Sequence, residues 1–157
     1  FNLLYQYFQF DIQQIYFDVN DEESHLFSLI LNSGLIQYLL DNFSDYAFDM
    51  KTMIIKIFDN MLITENQELF KQLMHRDIES NYLSISIEFA RGSDDINIQK
   101  MTIHSILKLL NIGQKLDEMG LICESEAVAE FIEYCLASED SDIVDMAQEY
   151  YNQTTFE

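Results

Sequence analysis

No proline interrupts the 157 residues and only four glycines do, while apolar residues recur at helical spacing along almost the whole chain. Phe1, Leu4, Tyr5, Phe8, Ile12, Ile15 and Tyr16 form one stripe, and Met50, Met53, Ile54, Ile57, Phe58, Met61 and Leu62 form another. All-β folds need frequent turn residues, and this chain has almost none, so the pattern predicts an all-α protein. With 48% hydrophobic residues there is material for a core, which excludes disorder despite a formal charge of −20. The length suits one domain.

The helices are expected in a repeating order. A short helix over 23–31 leads across Asn32-Ser33-Gly34 to a second over 34–42, then to a longer third over 45–63. The triplet recurs as 65–74, 82–90 and 96–112, and again as 115–123, 127–136 and 142–151. Leu69-Phe70 repeats Leu26-Phe27 after 43 residues, and Met50, Ile98 and Ile143 stand at like positions of the third helices. That period matches the roughly 40–47 residues of armadillo and HEAT units, which bury their apolar faces only by stacking. The expectation is a single right-handed α-solenoid over 1–157, with repeats at approximately 21–64, 65–113 and 114–157. One helix, over 1–17, precedes them. Because the chain begins at Phe1, inside an apolar pattern, further repeats are expected upstream.

The wording of the repeats resembles the armadillo family. Residues 24–40 (SHLFSLILNSGLIQYLL) are similar to its passage from first to second helix, and 91–100 (RGSDDINIQK) to its acidic loop and third-helix start. Residues 123–133 and 138–153 resemble the last armadillo repeat of the importin-alpha family, with Ile143, Ala147 and the Tyr150-Tyr151 pair in comparable places. The resemblance implies a non-enzymatic protein-binding solenoid, a nuclear transport adaptor found in cytoplasm and nucleus, whose third helices line a concave groove. In that family the groove carries a Trp-x-x-x-Asn pattern that holds basic peptides. The corresponding positions here are Lys56 and Asn60, His104 and Lys108, and Glu149 and Gln153. Only Asn60 keeps the pattern. With no tryptophan in the chain, the stacking surface for Lys and Arg stems is missing. Strong cargo binding is therefore not expected. The partners that the resemblance implies for the last repeats are the nuclear export receptor and nucleoporins. The alternative is a divergent armadillo scaffold, built permanently into a large assembly.

Charge and motifs exclude other classes. Eight scattered basic residues against 28 acidic ones disfavour nucleic acid and anionic membranes and favour basic protein partners. No apolar run is long enough to cross a bilayer. Cys123 and Cys135 belong to no CxxC motif and are expected as reduced thiols of an intracellular protein. The histidines at 25, 75 and 104 have no second ligand at helical spacing, and the glycines fall in no phosphate-loop frame, so no metal or cofactor is expected. Residues 18–29 fail as a calcium loop, having Glu23 and Leu29 where Gly and Glu are required. Acidic pairs such as Asp94-Asp95 and Glu139-Asp140 read as helix caps and solvated loops rather than catalytic carboxylates.

Overall fold

The computed structural model describes residues 25–77 and 80–155, and every described regular element is a helix. The helix expected over 1–17 lies outside the described residues. The chain divides into two compact units, 1–36 and 37–157. The described part of the first holds α1 (His25–Asn32) and the start of α2 (Leu35–Asp41). Between them Gly34 adopts φ +73°, a left-handed conformation that costs a residue with a Cβ energy. Leu35 N–H donates to Ser33 Oγ at 3.2 Å. The expected break at Asn32-Ser33-Gly34 thus has a backbone cause.

The second unit continues with a 3-10 turn (Phe43–Asp45), α3 (Phe48–Met61), a 3-10 turn (Leu62–Thr64), α4 (Gln67–Met74) and α5 (Tyr82–Arg91). It ends with α6 (Ile96–Leu116), α7 (Gly120–Cys123), α8 (Glu126–Leu136) and α9 (Ser141–Thr154). Most starts carry a side-chain cap. Asn66 Oδ1 accepts from Leu69 N–H, Asn81 Oδ1 from Ser84 N–H, and Asp95 Oδ1 from Asn97 N–H. Asp140 Oδ1 takes both Asp142 and Ile143 N–H. A cap of this kind contributes about 1 kcal/mol, which matters for helices only two or three turns long.

Two expected boundaries are corrected. The helix expected over 45–63 starts at Phe48, not at Asp45, because residues 43–45 close a 3-10 turn and Ala47 is extended. Residues 115–123 do not form one helix either. α6 runs through Lys115 to Leu116, until Asp117 turns left-handed at φ 60°, and a four-residue α7 follows. The expected repeat boundary at 113/114 falls inside α6. Gly113 allows that close corner, since a Cβ there would lie 3.1 Å from Ile122 Cδ1 and 3.4 Å from Glu118 O.

α6 is the centre of the unit. It packs against α3, α4, α5, α7 and α9, while α8 packs against α5 and α9. Ile98, Ile103, Ile106, Leu109, Leu110 and Ile112 are essentially inaccessible, together with Ile54, Ile55, Phe58, Phe70, Phe131 and Ile143 on its neighbours. A fully buried aliphatic or aromatic side chain stabilises by about 1.5–3 kcal/mol over an exposed one, so the interior of α6 dominates this core. Its buried surface reaches most of the way round the helix, leaving polar Gln99, Thr102 and Ser105 inside as well.

Candidate functional site

The six expected partner-binding residues sit in pairs four apart, and such a pair shares one face of its helix. On α3, Lys56 is exposed and Asn60 is partly buried, with its amide Nδ2 shielded and without a hydrogen-bond partner among the described residues. On α9, Glu149 and Gln153 are exposed and bonded to each other, Gln153 Nε2 donating to Glu149 Oε1 at 3.0 Å. On α6, His104 is half exposed, whereas Lys108 has its side chain 15% exposed.

His104 and Lys108 meet on a residue the repeat pattern did not single out. Asp59, 7% exposed on α3, lies beside Asn60 and accepts from three side chains of α6. Ser105 Oγ and Lys108 Nζ each approach Oδ1 at 3.0 Å, and His104 Nδ1 lies 3.3 Å from Oδ2. Lys108 Nζ also donates to the Asp59 main-chain carbonyl at 2.8 Å. Behind them, Tyr82 OH of α5 lies 3.0 Å from Ser105 Oγ, fully enclosed. Burial pushes the Tyr82 phenol well above its ordinary range; Ser105 opposes the shift and Asp59 adds to it. Tyr82 therefore stays a neutral hydroxyl. The carboxylate of Asp59 is held by three side chains of α6, so the cluster staples α3 to α6.

A signal for Asp59 was present in the sequence. It is a charge inside the apolar stretch Ile54–Leu62, and 48 residues further on, at the interval expected for the repeats, lies Leu107. Its partners at 104, 105 and 108 surround that position within one helical turn.

Other polar ties follow the same interval. Asn111 and Lys115 of α6 bind Glu65, 46 and 50 residues away. His75 pairs with Glu118 across 43 residues, Arg91 with Glu130 across 39, and Lys100 with Asp142 across 42. Lys100 also reaches Asp140 at 3.0 Å. It holds the Asp140 carboxyl below its ordinary value, partial burial opposing and the Ile143 and Asp142 amides assisting. Lys115 does the same to Glu65.

Among the described residues no group of three or more His, Cys, Asp or Glu side chains is arranged to hold a metal ion. No helix among them is long and apolar enough to cross a membrane. Compared with protein-family models, curated proteins and solved structures, the chain has no match.

Proposed function

We propose that the chain is a non-enzymatic protein-binding armadillo solenoid that uses the face of α3, α6 and α9 and favours basic partners. The observation that carries this reading is the interval of its polar ties. Side chains of successive helix triplets, 35 to 50 residues apart, bond to one another. Stacked copies of one unit produce such an interval. The packing order supports it too, since α3 neighbours α6, α6 neighbours α9, and α5 neighbours α8. The unpartnered amide of Asn60 supplies a donor for a peptide carbonyl once a neighbouring side chain moves aside.

Within this class, the resemblance of residues 123–153 favours the C-terminal repeats of an importin-alpha-like transport adaptor of cytoplasm and nucleus. Its partners would be the nuclear export receptor or a nucleoporin. The test is retention of purified export receptor by the immobilised chain at low and high salt. Retention at low salt that falls with salt is the expected result, because a −20 surface attracts a basic partner through screened charges. No retention at low salt refutes the transport assignment. A titration with a basic peptide against an acidic one of equal length tests the wider reading, and equal binding of the two refutes it.

A scaffold subunit of a large assembly is the second reading. It is favoured by the commitment of His104 and Lys108 to Asp59, which leaves two of the six expected positions tied internally. Purification in fixed stoichiometry with other chains through high salt decides for the scaffold.

A further inference from the structure

A second surface lies between α5 and the start of α3. The turn after α2, the start of α3 and one face of α5 enclose a groove of ≈ 490 Å³. On the α5 side, Ile85, Glu88, Phe89 and Gly92 share a face at the spacing i, i+3, i+4 and i+7. Opposite them stand Phe43, Phe48 and Lys51.

The walls are aromatic. The Phe89 ring meets Phe43 edge-on at 5.7 Å and leans on Phe48 at 5.3 Å. Phe48 is 50% exposed, an unusual cost for a phenylalanine at a helix start. The groove already receives one cation, because Lys51 Nζ sits 5.7 Å over the Phe43 ring. The Lys51 amine is thereby held at the Phe43 ring, and it has no ion pair among the described residues. Of the two lining acids, Asp41 is taken by Arg76. Glu88 is exposed and has no ion pair among the described residues. What remains free is one carboxylate, two aromatic rings and the C-terminal end of α5, where helix carbonyls carry partial negative charge.

We infer that this groove docks an arginine side chain of a basic peptide segment. The apolar stem of the arginine lies along Phe48 and Phe89, and its guanidinium pairs with Glu88 at the α5 terminus. Arginine is preferred to lysine because a planar, weakly hydrated guanidinium stacks on rings and bonds a carboxylate with two parallel N–H groups. The complementarity rests on the un-ion-paired Glu88 beside Phe48 and Phe89, with the Lys51 amine drawn to Phe43, and on a chain of net charge −20. The groove contains none of Lys56, Asn60, His104, Lys108, Glu149 and Gln153, so the inference stands whether or not those positions bind a partner.

The test uses the whole chain and a short fluorescein-labelled peptide with one central arginine between glycines and serines and lysines at its ends. Companion peptides carry lysine or glutamine instead of arginine. Binding is followed by fluorescence anisotropy, and the site is mapped by amide and ring NMR shifts. The arginine peptide is expected to shift Phe48, Phe89 and Gly92. The Phe48→Ser and Glu88→Gln variants each weaken it by about three- to tenfold, as loss of a cation–π contact or a charge-assisted bond does. Both changed side chains are exposed, and circular dichroism confirms folding. Lys56→Ala and Asn60→Ala leave this binding unchanged, which separates failure of the groove from failure of the helix face. Equal binding of the glutamine peptide, shifts confined to α6 and α9, or insensitivity to both groove variants overturns the inference. Self-association abolished by Phe48→Ser also overturns it, since the occupant would then be a second copy.

Discussion

Replacing Asp59 by asparagine tests the physical account of the α3–α6 contact most directly. The change keeps the side chain's shape and removes its charge, while one oxygen becomes an NH2 group facing donors that now lack an acceptor. Lys108, with its side chain 15% exposed, loses its counter-charge, and either Ser105 or His104 loses a bond. Removing one partner of a buried pair costs about 3–5 kcal/mol. Lys108 keeps the Asp59 carbonyl at 2.8 Å and some access to water, which places Asp59→Asn lower, at about 2–3 kcal/mol. The Lys108→Met change alone leaves Asp59 with the Ser105 and His104 contacts. The double variant removes both charges, so it is expected to cost less than the sum of the singles by about 1–2 kcal/mol. Urea unfolding followed by far-UV circular dichroism measures all four proteins. With a slope of about 1–3 kcal/mol per molar urea, Asp59→Asn lowers the midpoint by roughly 1 M. An Asp59→Asn cost below about 0.5 kcal/mol, or a coupling within about 0.5 kcal/mol of zero, refutes the clamp.

Three further outcomes follow from the same geometry. Asp140 and Glu65 titrate below their ordinary values of 3.8 and 4.5 in the folded chain, so their pairs stabilise it above those values. That contribution is lost as pH falls through the depressed native pKa values, and Lys100→Met should flatten the acid limb of the urea midpoint against pH; an unchanged slope counts against it. Gly113→Val should destabilise by roughly 1–3 kcal/mol in thermal or urea unfolding, because even the first carbon would crowd Ile122 Cδ1 at 3.1 Å. Cys135 is fully buried, and its thiol is pushed up to about 12 by burial. Cys123 is exposed; burial of its thiol raises it, the Tyr150 hydrogen bond opposes and Glu124 adds. Alkylation of the native protein is therefore expected at Cys123 first and at Cys135 only after unfolding, as mass spectrometry of the labelled peptides would show. Equal native labelling rates would contradict this burial.

Much of the secondary structure was legible from periodicity, because each helix must present an apolar stripe and begin where an Asn, Asp or Ser takes its free N–H groups. Asn66, Asn81, Asp95, Ser125 and Asp140 all do so at the observed starts. The misplaced boundaries fall where local pattern does not decide. An apolar stripe runs on past Ile112, and only the left-handed turn at Asp117, held by the corner of α6 with α7, ends it. Of the six expected site residues, position along each helix was readable, but fate was not. Lys56 and Lys108 are both lysines on third helices, yet one points into solvent and the other closes on Asp59.

The sequence by itself determined that the described residues are helical and where most of their helices lie. These follow from spacing and capping, which act within a few residues. Only the tertiary structure decided which charges are spent and which stay free. Asp59, Lys108 and Asp41 are committed internally while Glu88 remains open beside two phenylalanine rings. That distinction depends on neighbours some 35 to 50 residues away, brought together by the packing of helices, and no local pattern carries that information.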